Sequence, residues 1–284
     1  MIIIRIIGGL GNQMFQYAAA TALAHKNNTE LKVDVTEFDN YHLRNFDLDK
    51  LNVNFSLASI QEIKNLKSKN SFQRFWQRLV PYAVRRFYKE PFFHYDNRFS
   101  KLSSDVYIQG YFQSQKYFLS IEDKIREQFT LKEGVSERIK EFASILQSHQ
   151  SVAIHVRKGD YKNAETMDVH GILPMSYYLN AIGFVQSKIP GAKFYLFSDA
   201  AASVEKELSL NSLETVSGRV TQNHFEDLYL MSCCRHNIIA NSSFSWWAAW
   251  LNTHPDKIVI APKNWFNNGP KDTQDILPQG WIQL

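Results

Sequence analysis

The sequence predicts an α/β protein made of two lobes of similar size that meet at a cleft. Two observations carry that expectation. The amino terminus reads strand, glycine-rich turn, helix, strand, and a second alternating series of strands and helices begins near residue 151. At 284 residues and 44% hydrophobic, the chain has enough apolar material for two cores and is no candidate for disorder.

The first unit is "IIIRIIGGLGNQMFQYAAATALAHKNNTELKVDV". An apolar run from Ile2 is predicted to be a strand, Gly8, Gly9 and Gly11 the turn, and the alanines at 18, 19, 20, 22 and 24 a good helix former. His25 to Thr29 break the helix, and Leu31-Lys32-Val33-Asp34-Val35 alternates as the next strand, so the pair belongs to a parallel sheet. Residues 40 to about 102 are irregular. A strand is predicted over "VYIQGYF" (106–112), then helices over 121–128 and 136–146. "LQSHQ", ending at Gln150, is the expected connector, which puts an N-terminal lobe at 1–148 and a C-terminal Rossmann-like lobe at 149–284. The second series follows: a strand at 152–157, a helix at 176–187, the strand "KFYLFSD", a helix at 203–208, the helix "FEDLYLMSCC", the strand "HNIIA", the helix "SFSWWAAWLN" and the strand "KIVIAP".

The net charge of +4 is small but unevenly placed. Between Ile63 and Lys89 stand eight cations and no acid, which leaves −4 on the rest of the chain. With Phe72, Phe75, Trp76, Tyr82, Phe87 and Tyr88 interleaved, the stretch 64–89 suits a peripheral contact with an anionic membrane, the alternative being a solvated helical face. Nothing resembles a nucleic-acid module. The two cysteines, Cys233 and Cys234, are adjacent and poorly placed to pair, and no second ligand pair suggests zinc. The segment after Met1 is too short for a signal core or a spanning helix, so a soluble cytoplasmic protein is expected.

Four stretches carry chemistry. In the first loop, Gly9 and Gly11 allow close approach to a helix N-terminus, and the amides of Asn12 and Gln13 are suited to grip a polyhydroxylated ligand. A dinucleotide site is the rival there, with Asp34 as ribose acid, although Met14 stands where the third glycine of that fingerprint belongs. The second is "SVAIHVRKGDY". His155 and Arg157 arrive together at the carboxyl end of a strand, where open sheets place ligands, and Lys158 and Asp160 follow around Gly159. Arg157 is suited to fork two hydrogen bonds onto a phosphate and Lys158 to add a point charge, the alternative being a salt bridge with Asp160. The third is "ANSSFSWWAAWL". Asn241, Ser242, Ser243, Phe244 and Ser245 crowd polar groups at a helix start, which either caps the helix or accepts an anion. In the fourth, Asp199 ends "FYLFSD", placed to accept from a purine or ribose, or to cap the next helix.

Taken together, "GGLGNQMFQYA", "IHVRKGDY", "FSDA" and "ANSSFSWWAAWL" resemble, in order, the motifs of the bacterial α-1,2-fucosyltransferases, glycosyltransferase family 11. The resemblance implies a GT-B-type fold and inverting, metal-independent transfer of L-fucose from GDP-β-L-fucose to the 2-hydroxyl of a terminal galactose, in surface polysaccharide or O-antigen synthesis. The implied acceptor is a galactose-terminated glycan, lipid-linked or free, and no resident cofactor is implied. By motif, Arg157 stabilises the departing GDP, His155 and Asp199 lie near the guanosine, Ser243 and its neighbours near the phosphates, and Asn12 in the loop bordering fucose and acceptor. Two positions depart from the family pattern: Lys158 stands where it has a second arginine, and Ala200 where it often has a second acid. For the base that inversion needs, Glu165 is preferred among Asp160, Glu165, Asp168 and His170. Asp47-Leu48-Asp49 copies a metal-binding pattern, but inside an apolar segment, and is set aside. Two other classes remain as alternatives: a non-catalytic nucleotide- or sugar-binding protein, and an NAD-dependent oxidoreductase built on the first βαβ unit.

Overall fold

A computed structural model describes residues 1–39, 44–67, 79–158, 168–169, 171–210 and 212–284. They form two compact units: Met1–Lys132 with Asp272–Pro278, and Glu133–Lys271 with Gln279–Leu284. The division thus falls earlier than the expected 148/149. The helix Glu137–Gln147 belongs to the second unit, because the Ser151 hydroxyl donates to the Leu146 carbonyl and the Arg235 guanidinium to the Gln147 carbonyl.

In the first unit, β1 (Ile2–Arg5), β2 (Leu31–Asp34), β3 (Ser56–Leu57), β4 (Phe87–Lys89) and β5 (Val106–Gln109) form a parallel sheet in the order β3-β2-β1-β5-β4. Ile2 lies opposite both Leu31 and Val106. As the middle strand, β1 is covered on both faces, and Ile2, Ile3 and Ile4 are fully buried; this is why it reads as a continuous apolar run. Helix α1 (Leu10–Lys26) is buried along all but its last turn, and its alanines allow that close packing. Helix α2 (Ile60–Leu66) opens on a capping box in which Ser59 and Glu62 satisfy each other's backbone N–H groups. Helix α3 is Glu122–Gln128. In the basic stretch, Phe87 and Tyr88 are core residues of β4 and not surface aromatics; Phe72, Phe75 and Trp76 lie outside the described residues.

In the second unit, after helix α4 (Glu137–Gln147), come β6 (Ser151–Val156), β7 (Lys193–Ser198), β8 (Leu213–Thr215), β9 (His236–Ile238), β10 (Val259–Ala261) and β11 (Ile282–Gln283). They are parallel, in the order β11-β10-β9-β6-β7-β8. The helices between them are α5 (Met175–Lys188), α6 (Ala201–Leu208), α7 (His224–Cys233) and α8 (Ser243–Leu251). Val152, Ile154 and Val156 pack with Tyr177, Tyr178, Phe194 and Leu196, while Trp246, Trp247 and Trp250 of α8 form a buried cluster with Trp281.

Each sheet reverses its strand order once. In the first, the chain lays down β1, β2 and β3 outward and then returns to the other side of β1, so the reversal lies between β1 and β5. In the second, it lies between β6 and β9. Such switch points open a crevice at the carboxyl ends of the strands, the usual ligand position in open α/β sheets.

Candidate functional site

At the β6/β9 switch point, β6 delivers His155 and then Arg157, and β9 leads through Asn241 to the N-terminus of α8. The Nδ1 of His155 is buried without a hydrogen-bond partner among the described residues. Burial, reinforced by the neighbouring Arg157 cation, holds its pKa down to about 3, so the ring is neutral at physiological pH. A buried ring nitrogen left unpaired is costly, and a ligand group can remove the cost. The ring lies 5.7 Å from that of Phe244, centroid to centroid.

The residues at the start of α8 divide into builders and presenters. Ser242 is the N-cap, its hydroxyl accepting from the Phe244 N–H at 3.3 Å. The Asn241 amide donates to the Trp265 carbonyl, and the buried Ser245 hydroxyl to that of Ser242. Ser243 is half-buried, and its hydroxyl has no partner among the described residues. The N-terminal dipole of α8 favours an anion there.

Lys158 is placed otherwise than its phosphate role requires. Its ammonium lies 2.5 Å from the Glu207 carboxylate on α6, and its hydrogen bond is what holds the Glu207 pKa down. Its backbone N–H donates to Asp199 Oδ1 at 2.9 Å. Asp199 does not cap α6, whose N-cap is Ala200; it ties the exit of β6 to that of β7. Asp160, Glu165 and His170, and with them the suggested Arg157–Asp160 bridge, lie outside the described residues. Asp168 accepts from the Asn268 amide at 2.6 Å, so that carboxylate anchors the returning chain.

Sequence reasoning missed the start of α7. His224 stacks on Phe225 at 4.1 Å and faces Phe244 at 6.3 Å, extending the aromatic row from His155. Asn223 caps α7 by accepting from the Phe225 and Glu226 N–H groups. Half-buried Asp227, its pKa raised by desolvation, accepts from Thr221 and Ser217, and Ser217 accepts from the Ser198 N–H at the end of β7. The signal was present: an Asn N-cap followed by two rings, "NHF", just before an amphipathic run.

The β1/β5 switch point is built from amides. Gly8 has φ +79°, and a Cβ there would stand 2.9 Å from the Asn12 amide. Gln13 was expected to face a ligand, but it is fully buried; its Nε2 donates to the Gly8 and Asn45 carbonyls, and its Oε1 accepts from the Asp47 N–H. The free carbonyls of the turn claim that side chain first. Asn12 Oδ1 accepts from Gln113 Nε2 at 2.8 Å across the switch point. Asp34 is buried, accepting from the Thr36 N–H and hydroxyl and from the Tyr107 hydroxyl at 2.6 Å; it has no exposed oxygen to offer a ribose. Asp49 sits beside Lys50, and buried Leu48 separates it from Asp47. Among the described residues there is no group of three or more His, Cys, Asp or Glu that could hold a metal ion, and no helix long and apolar enough to cross a membrane.

The chain matches the family model described as Glycosyl transferase family 11 over residues 1–284. It is 32% identical over 297 residues to the Alpha-1,2-colitosyltransferase of Escherichia coli, covering 100% of this chain and 99% of the relative. It is 31% identical over 306 residues to the O-antigen biosynthesis glycosyltransferase WbnK of Escherichia coli, with 98% of each covered. To the Galactoside 2-alpha-L-fucosyltransferase Sec1 of Mus musculus it is 26% identical, covering 100% of this chain and 74% of the relative. Among solved structures, an Arabidopsis thaliana FUT1 variant in complex with GDP superposes with a TM-score of 0.54 at 12% identity, over 99% of this chain and 75% of that one. That likeness is one of fold, of the GT-B type.

Proposed function

The chain belongs to glycosyltransferase family 11, and we propose from that premise that it transfers L-fucose from GDP-β-L-fucose to the 2-hydroxyl of a terminal galactose, inverting the anomeric centre. The supporting observation is the β6/β9 switch point, where the buried His155 ring, its Nδ1 without a partner among the described residues, lies 5.7 Å from Phe244 of α8 and Arg157 follows at the exit of β6. Breaking the sugar–phosphate bond builds negative charge on the diphosphate. Arg157 and the α8 N–H groups meet that charge without reorganising, and one such preorganised donor is worth roughly 3 kcal/mol. Ser243 adds a hydroxyl for a phosphate oxygen, and the aromatic row from His155 to Phe225 offers the base a stacking wall.

Lys158 acts in this reading by fixing the β6 exit through Glu207 and Asp199, rather than by touching phosphate. Glu165 is assigned as the base that takes the acceptor proton, ahead of Asp160 and His170. The leaving-group charge falls to Arg157 and α8, so the reaction proceeds in EDTA. The acceptor belongs to a surface glycan assembled at the cytoplasmic side of the membrane, where residues 64–89 make a peripheral contact. Vesicles carrying anionic lipid should sediment the protein at low salt and release it at high salt.

The deciding experiment is incubation with GDP-fucose, EDTA and a panel of β-galactosides, with linkage analysis of the product. An α-1,2-fucosylated galactoside is expected; an equally active Arg157→Ala enzyme would overturn the site. A colitosyl donor is the second reading, favoured by the 32% identity to the Escherichia coli colitosyltransferase. Competition between GDP-linked fucose and GDP-linked colitose separates the two. An NAD enzyme and a mere binding protein are the remaining alternatives. The capture of Asp34 argues against the former, and a thermal shift with NAD but none with GDP would restore it.

A further inference from the structure

A cavity of about 500 Å³ opens in the first unit along the outer edge of β4, lined by Tyr82, Arg85, Lys89, Glu90, Pro91 and Arg98. Its size is that of a small-ligand site. Three of its six lining residues are cations, and two of them are fixed on one ring. The Arg85 guanidinium lies 3.8 Å from the Tyr82 centroid and that of Arg98 5.1 Å from the same centroid. The Asp96 carboxylate answers one of these charges, pairing with Arg98 Nε at 2.9 Å, and Arg85 Nε donates to the Val80 carbonyl at 2.8 Å; with Lys89 the wall still carries more cations than ionised acids.

The fixing is deliberate in its geometry. Asp96 is almost fully buried; it accepts from the Tyr82 and Tyr88 hydroxyls and from the N–H and Nε of Arg98. Only Nε of the Arg98 side chain is used, so its terminal nitrogens keep the fork that binds an oxyanion. Lys89 is exposed, and its ammonium has no partner among the described residues. The acid in the wall offsets these charges only in part near neutral pH. Burial, with the facing Asp272 carboxylate adding to it, pushes the Glu90 pKa up to about 7, although the Tyr111 and Phe112 N–H groups and the Tyr117 hydroxyl bond to it. Tyr111, 40% exposed, donates its N–H to Glu90, and Phe92, two residues beyond Glu90 and 43% exposed, stacks one face on His94 at 4.7 Å.

We propose that this cavity is a subsite for an oxyanion-bearing residue of the acceptor glycan, held by Lys89, Arg98 and Arg85. The oxyanion is either the carboxylate of an acidic sugar or a phosphate linking the glycan to its lipid. The assignment deepens the transferase reading, but its test is a binding measurement that needs no turnover.

The full-length protein, saturated with GDP to block the nucleotide site, is titrated with glucuronate, glucose or inorganic pyrophosphate, and binding is read by ligand-observed NMR. At least one anion should bind about tenfold more tightly than glucose, as expected for charge-assisted pairing. Lys89→Gln should weaken it roughly fivefold and Arg98→Gln more, with the GDP-induced thermal shift of each variant reporting that it is folded. A preference for glucuronate identifies an acidic sugar, and a preference for pyrophosphate the lipid-linked phosphate. If both anions bind no better than glucose, or Lys89→Gln binds like wild type, the subsite is overturned. Anion binding in a protein that GDP fails to stabilise would instead sink the donor reading and leave the subsite standing.

Discussion

Both sheets reverse their strand order beside a central strand, and they use the reversal differently. At β6/β9 polar capacity stays unspent among the described residues: a buried imidazole nitrogen without a partner, and a serine hydroxyl without one in the first turn of α8. At β1/β5 more of that capacity goes to the fold, since Gln13 spends its whole amide on backbone and Asn12 is bridged to Gln113, although the Gln113 Oε1 stays buried with no partner among the described residues. A switch point is therefore an opportunity rather than a site. Whether it becomes one depends on how many of its polar groups the fold itself consumes.

That contrast can be broken or sharpened by substitution. The largest effect is expected from Arg157→Ala, which should lower kcat/KM for fucosyl transfer by about a hundredfold or more, near 3 kcal/mol, with an unchanged melting temperature. A comparable loss of stability would make Arg157 a structural residue and erase the difference between the two crevices. Next comes Glu90, in the first unit. Its pKa rises from 4.5 to about 7 in the folded protein, so the native state keeps a proton that the unfolded chain has lost between those values. This contribution, about 3 kcal/mol, is fully present below pH 4.5 and is lost as pH rises through about 7. Glu90→Gln should flatten the denaturation midpoint across that window; an unchanged pH profile would show that Glu90 is solvated.

Gln13→Ala should cost roughly 2 to 3 kcal/mol of stability, because it strands two carbonyls and an N–H, while leaving GDP affinity as in wild type. Weakened GDP binding at full stability would reverse that assignment. The smallest pair lies on α8. Ser242→Ala should lose about 1 kcal/mol of stability as a cap is removed, whereas Ser243→Ala should keep its stability and bind GDP about fivefold more weakly. Chemical denaturation alongside calorimetric titration distinguishes the two serines.

The sequence revealed the elements that are long or strongly patterned. β1, α1, β2, β5, β6, β7 and α8 stand within a few residues of where periodicity and breakers place them. The edge strands β3, β4, β8 and β11 were not legible, since two or three residues carry no period and their pairing is decided by neighbours far along the chain. The placement of His155 and Arg157 was legible, because it follows from where β6 ends. The site was illegible where a partner is remote. Lys158 finds Glu207 49 residues away, and Asp34 finds Tyr107 73 residues away; no local spacing announces either bond. Gln13 was misread for a different reason, because an amide beside a glycine turn serves a ligand and a stranded carbonyl equally well.

The tryptophan cluster has a spectroscopic consequence. Of the six tryptophans in the chain, five lie in the second unit: Trp246, Trp247, Trp250, Trp265 and Trp281. Intrinsic emission is thus almost a private signal of the second unit, with Trp246 and Trp247 one turn from the Ser242 cap. Melting followed by fluorescence will report that half, and melting followed by far-ultraviolet dichroism will report both. If the units unfold separately, the two curves will part, and added GDP will move only the fluorescent one.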